Sequence, residues 1–248
     1  MKNIILFMGV FLSYTFCYCQ TKKIEGIVNY IQTNSTYHFK SKLYFTTEKS
    51  AYKYNVIERK SLRKDNLSMP TELKFDTVPD EFGEITFIDF SKKNLLAREK
   101  VVGKSFIYEE SLPAIKWKLS NESKLIGKFK CQKATTTFRG RNYVAWFTTE
   151  IPISMGPWKL NGLPGLILEA FDDTLQIQFA FESISMPENV ADNMVFPSTE
   201  GRRITFEEHK TIFESTSQKV IAMTDIPKGT TVKIDIDKRV FFELSYDK

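Results

Sequence analysis

At 248 residues the chain is long enough to bury an ordinary hydrophobic core without covalent staples. Its 35 Lys+Arg against 30 Asp+Glu leave a net charge of +5 spread along the sequence, too mild a balance to suit nucleic acid. Cysteine occurs only at Cys17, Cys19 and Cys131, which excludes a disulfide-rich scaffold.

The N-terminus opens with Met1-Lys2-Asn3, continues almost wholly apolar to Phe16 and reaches Cys17-Tyr18-Cys19 just before Gln20. A short basic start, an apolar segment and a small-x-small context read as a signal peptide over residues 1–19, leaving one domain over residues 20–248. Lipid attachment is the competing reading, but Tyr14-Thr15-Phe16 lacks the small residues that such processing prefers. The expected location is the periplasm or the cell surface. The apolar run falls short of the roughly 20 residues that cross a bilayer, and no later run is longer, so no transmembrane segment is expected in the mature chain. Removal of the leader leaves Cys131 alone, hence no intramolecular disulfide.

From there the prevailing hydrophobic period is two, the pattern of half-buried strands. Tyr37, Phe39, Leu43 and Phe45 alternate with His38, Lys40 and Lys42. The spacing predicts strands at 24–32, 36–46, 50–55, 84–90, 95–102, 104–110, 124–138, 142–149, 166–171, 175–185 and 231–245. Arg139-Gly140-Arg141-Asn142 and Asp172-Asp173-Thr174 read as hairpin turns. Residues 56–80 and 186–202 read as long charged loops. One helix is expected at 205–219, where Thr205 and Glu208 have capping-box spacing and Phe206, Ile212 and Phe213 form an apolar stripe. The fold class is therefore mainly β: a single curved antiparallel sheet or half barrel, with one helix packed on or in it.

Between Thr149 and Glu169 the pattern breaks. Pro152, Pro157 and Pro164 with Gly156, Gly162 and Gly165 leave few backbone freedoms, and the segment reads as a rigid corner feeding a buried strand. Within it, Gly162-Leu163-Pro164-Gly165-Leu166-Ile167 resembles the signature of the GLPGLI family of secreted Bacteroidetes-type proteins. Lys130-Cys131-Gln132-Lys133-Ala134, Gly140-Arg141, Tyr143-Val144-Ala145-Trp146-Phe147 and Ile151-Pro152 precede it as in that family, and Ile204-Thr205-Phe206-Glu207-Glu208 follows. Lys128-Phe129-Lys130 departs from it, since members more often carry an aromatic directly after the glycine. The resemblance implies export and a β fold rather than an activity. The family is commonly associated with envelope and outer-membrane transport genes and brings no catalytic residues.

Chemistry-bearing patterns are sparse. The two histidines, His38 and His209, are far apart in sequence and lack metal-ligand spacing. No Gly-x-Ser-x-Gly elbow and no phosphate-binding glycine loop occurs. Cys131 sits in an alternating strand and reads as a buried structural thiol. Glu109, Glu110, Glu150, Glu169, Asp172 and Asp173 could supply a carboxylate pair, which only a separation in space would identify. Arg139, Arg141, Trp146, Trp158 and Lys159 cluster near the hairpin and the corner and form the candidate binding surface, against the alternative that the tryptophans are core and the arginines a solvated turn.

The leading expectation is thus an exported, non-catalytic binding or accessory protein of the cell envelope, with an envelope protein or an outer-membrane transporter component as partner. The alternatives are a carrier of a lipid or other apolar ligand in a concave sheet, and a carboxylate-based hydrolase acting on glycan or peptide. A small apolar molecule or a glycan is the candidate ligand, and no cofactor, metal or catalytic residue is assigned.

Overall fold

The computed structural model describes residues 24–34, 37–54, 82–101, 104–196 and 199–222. The expected signal peptide, the loop at 56–80 and the strand at 231–245 lie outside these residues. Among the described residues, twelve strands join one sheet. β1 (Gly26–Asn34), β2 (Tyr37–Phe45), β3 (Lys49–Tyr54), β4 (Glu84–Asp89), β5 (Asn94–Val101) and β6 (Lys104–Ser111) form one antiparallel meander. β7 (Lys118–Ile126), β8 (Phe129–Phe138), β9 (Arg141–Thr148), β10 (Leu166–Asp172) and β11 (Ile177–Ser185) form a second. The two meet where β1 pairs with β11, giving the order β12-β6-β5-β4-β3-β2-β1-β11-β10-β9-β8-β7. β12 (Arg202–Arg203) adds a short parallel margin on β6.

Connectivity forces this sheet to curl. Residues 112–117 carry the chain from β6 near one margin to β7 at the other. Such a link reaches about 25 Å at most, whereas the intervening strands laid flat would spread about 48 Å. The sheet is nevertheless not closed into a barrel. Alternation decides the inner face: Val28, Leu43, Tyr52, Thr86, Ala97 and Tyr108 lie opposite one another across β1 to β6 and are all buried. The larger core cluster gathers Tyr30, Phe45, Ala145, Phe147, Trp158, Leu166 and Phe179.

The sequence expectation differs from the structure in three places. The strand expected at 124–138 is two strands, because Gly127-Lys128 turns the chain between Ile126 and Phe129, with Gly127 at φ +57. A two-residue hairpin loop needs that positive φ at its first position, and apolar alternation runs through it unbroken. The start of β7 carries Ser120, Asn121 and Glu122 and gives no apolar signal, since β7 is a solvated margin. The loop expected at 186–202 contains a 3-10 turn at Ala191–Asn193 and ends in β12.

α1 (Phe206–Ala222) has the expected cap. Thr205 Oγ1 accepts from Glu208 N–H at 3.0 Å, and Thr205 N–H donates to Glu208 Oε2 at 2.7 Å. These bonds hold the Glu208 carboxyl below its ordinary range. The helix packs on β5 and β6. Its stripe runs through Phe206 and His209, with Phe213 tilted against His209 and His209 fully buried. Among the described residues, no helix is long and apolar enough to cross a membrane.

Candidate functional site

Residues 149–165 pack into the larger core cluster through Ile151, Ile153, Met155, Trp158, Leu160 and Leu163. A buried irregular segment must bond its own amides, and this one does so internally. Ile153 N–H donates to Ile151 O at 2.8 Å, Met155 N–H to Ile153 O at 2.9 Å, Gly162 N–H to Ser154 O at 3.2 Å and Ile167 N–H to Met155 O at 2.9 Å. Gly165 passes so close to β9 that a Cβ there would stand 2.1 Å from Thr148 O. Gly162 sits at φ +91, where a Cβ would make ordinary contacts with the Trp117 ring at 3.8 Å and Ile115 O at 3.9 Å. Leu163, Leu166 and Ile167 are buried in the core and Pro164 is exposed.

At the tip of the corner Trp158 adopts φ 55, a left-handed conformation rare for a bulky residue. Packing against Phe138, 5.6 Å between ring centroids, and Tyr143 holds it there. The next residue, Lys159, is fully buried. Its Nζ donates to Tyr108 Oη at 2.8 Å and stands 3.1 Å from Glu110 Oε1 and 3.7 Å from Glu99 Oε1. Tyr108 Oη donates in turn to Glu99 Oε1 at 2.7 Å, and His209 Nε2 of α1 lies 3.2 Å from Glu99 Oε2. Arg139, in the β8–β9 turn, is paired with Glu110 Oε2. One ionic network thus ties the corner, β5, β6, the hairpin and α1 together.

Burial alone would raise the Glu99 carboxyl, but Lys159 first, then His209 and Tyr108, hold it down at about 2. Neighbouring Glu84 goes the other way, pushed up to about 7 by burial and by the Glu99 charge, although Tyr54 Oη donates to it at 2.7 Å. Two carboxyl groups on adjacent strands are therefore driven apart in acidity.

Four of the five residues expected to form a binding surface belong to the interior. Lys159 and Trp158 are buried, Arg139 is nearly so, and Arg141 is not a solvated turn residue. Arg141 Nη1 donates to Asp172 Oδ2 at 2.7 Å, both side chains being at most 2% exposed, and Asp172 Oδ1 accepts from Ile177 N–H at 2.8 Å. Trp146 is half-buried, with Lys124 Nζ 4.6 Å above its ring and Lys124 paired with Glu169. The five side chains hold the fold rather than present one exposed face.

The open site lies elsewhere, beside β7. The ladder jumps from Leu119 opposite Ala134 to Ser123 opposite Gln132, so Ser120, Asn121 and Glu122 bow out against Lys133 alone. Gln132 Nε2 donates to Ser120 O at 2.7 Å, and Lys133 Nζ reaches Glu122 Oε1 at 2.8 Å, pinning the bulge. Beside it opens a cleft of about 460 Å³ lined by Asn121, Ser123, Lys130, Cys131, Gln132, Phe147, Thr149 and Glu150. Its volume suits a small molecule. Cys131, buried as expected, has its thiol pushed up to about 11, by burial first and Glu169 second, so it stays protonated at neutral pH. Sequence reasoning missed this cleft because Asn121 and Ser123 come from a solvated margin strand with no periodic signature, while Lys130, Gln132, Thr149 and Glu150 come from β8 and the start of the corner, which no local pattern joins to it.

A curled open antiparallel sheet with a hydrogen-bonded corner, an interior ionic network and a polar cleft at its margin defines the class of the protein. Residues 138–169, which include the hairpin and the whole corner, match a family described as "Protein of unknown function (Porph_ging)", a Bacteroidetes-associated family. None of the curated proteins matches the chain. Two solved structures of PNGF-II, in C2 and P21 space groups, are similar in fold, with TM-scores of 0.53 and 0.52 at 13% and 14% identity. The likeness covers 78% of this chain and 33% and 34% of theirs, so the chain spans about a third of the PNGF-II length.

Proposed function

We propose that this chain is an exported, non-catalytic binding or accessory protein of the cell envelope, of the GLPGLI type, and that the cleft beside β7 takes a small polar ligand. The cleft carries the reading: amide, hydroxyl, ammonium and carboxylate groups converge on a volume of about 460 Å³. That lining suits a hydrogen-bonding molecule such as a short glycan better than the lipid of an apolar carrier. The occurrence of the same fold as one third of a longer chain supports a module that serves another component. The family match over 138–169 contains the Gly162 to Ile167 motif on which the GLPGLI resemblance rests.

The test is titration of neutral oligosaccharides into isotopically labelled protein. Amide shifts confined to Asn121, Ser123, Lys130, Gln132 and Glu150, and abolished by Gln132→Leu, are expected. Shifts elsewhere, or none across the panel, would remove the cleft from consideration. N-terminal sequencing of the exported form should begin at Gln20.

A second reading has its own observation. The split acidity of Glu84 and Glu99 is the signature of an acid–base pair, which favours the carboxylate hydrolase. It ranks second because Tyr108, His209 and Lys159 already engage Glu99. Turnover of glycan or peptide that is lost in Glu84→Gln, with folding intact, would reverse the ranking.

A further inference from the structure

The side of the sheet turned away from the core carries a pattern that register makes visible. Ile27, Tyr44, Ala51, Phe87 and Leu96 stand directly opposite one another on β1 to β5, a continuous apolar stripe crossing five strands. All but Ala51 are only half-buried, while the intervening inner-face residues Val28, Leu43, Tyr52 and Ala97 are buried. The next row on the same outer side begins Asn29, Lys42, Lys53 and continues into buried Ile85, Arg98 and Ile107, so its open part lies on β1 to β3. Lys42 and Lys53 are therefore a directly opposed like-charged pair, an arrangement that destabilises a sheet unless something offsets it.

Among the described residues no carboxylate does. Lys42 is exposed, and Lys53 leans over the Tyr44 ring at 5.5 Å. Neither is paired with a carboxylate there. Nearby acids are engaged elsewhere: Glu182 with Lys40 at 3.9 Å, and Glu109, which faces Leu96, with Asn94 Nδ2 at 2.6 Å. Burial lowers the Lys53 ammonium from its ordinary value, which an arriving anion would reverse.

We propose that this stripe and its lysine row form a docking track for a linear acidic glycan, separate from the cleft. Charge complementarity selects an anionic occupant. The stripe is about 20 Å long across its strands, which gives Tyr44 and Phe87 room to pack against the apolar faces of several linked sugars while Lys42 and Lys53 meet their carboxylate or phosphate groups. Curvature selects a polymer over a bilayer. The outer side of a curled sheet is convex, so a chain follows it where a flat anionic membrane touches only its crest.

The experiment measures binding of the full chain to sodium polygalacturonate, to dextran as the neutral control, and to phosphatidylglycerol vesicles, each at low and raised salt. Polygalacturonate binding that weakens with salt, with no binding to dextran, is expected. Lys42→Ala/Lys53→Ala should weaken it at least tenfold while leaving the thermal midpoint unchanged or raised, because the opposed charges are gone. Phe87→Ala should weaken it at constant salt dependence. Equal binding by the double variant, no polygalacturonate binding by the parent, or capture by the vesicles alone would overturn the proposal.

Discussion

Replacing Lys159 by Met tests the ionic network at its centre. Met keeps the apolar stem that Lys buries and deletes the cation, leaving Glu110 and Glu99 without the ammonium that stands 3.1 and 3.7 Å from them. Removing one partner of a buried ion pair costs about 3–5 kcal/mol. The Glu99 carboxyl, held at about 2 by Lys159 first and by His209 and Tyr108 after it, shares in that loss. Because this carboxyl is depressed in the folded state, its contribution is complete above pH 4.5 and is lost as the pH falls toward 2. Urea unfolding followed by tryptophan fluorescence should therefore show Lys159→Met destabilised by about 3–5 kcal/mol at pH 7, with the gap to the parent narrowing as the pH falls from 4.5 toward 2. Adding Glu110→Gln should recover part of the loss. A deficit below about 1 kcal/mol at pH 7, the range of an exposed pair, or a deficit that does not change with pH, would refute the reasoning.

Glu84 carries the opposite sign. Its folded pKa of about 7 means stability declines as the pH rises from 4.5 through 7, so Glu84→Gln should flatten the pH profile and stabilise the protein above pH 7 by up to about 3 kcal/mol, read from denaturation midpoints. Arg141→Ala should cost about 3–5 kcal/mol by the same unfolding assay, since it strands a buried Asp172 carboxylate. Gly165→Val should abolish folded yield by collision with Thr148 O, whereas Gly162→Val, whose Cβ meets only ordinary contacts but at φ +91, should cost only about 1–3 kcal/mol. Equal thermal midpoints for the two glycine variants would contradict that ranking.

Alternation made the meanders legible because each strand buries one side. It failed where that condition fails, along the solvated start of β7 and through the Gly127-Lys128 turn. The corner was legible from its prolines and glycines, and the helix from Thr205 and Glu208. The ionic network was less so, although signals existed. Glu110 falls in the core phase of β6 with Phe106 and Tyr108, and Asp172 in that of β10, while Lys159 lies between Trp158 and Leu160. A charge at an apolar position asks for a buried counter-charge, but sequence cannot say which element supplies it: Lys159 meets Glu99 and Glu110 from strands some fifty residues earlier. Arg139 and Arg141 looked alike in the hairpin turn for the same reason, since Glu110 and Asp172 come from β6 and β10.

The seam between β1 and β11 has a consequence for how the molecule is made. Residues 26–34 find their second neighbour only when 177–185 arrive, so the first meander waits with an unpaired, partly apolar border while most of the chain is still being produced. Non-local pairing of this kind slows folding, and a bare border invites association with other chains. Yield should therefore depend on how quickly the second half follows the first, and on whatever shields β1 during the interval.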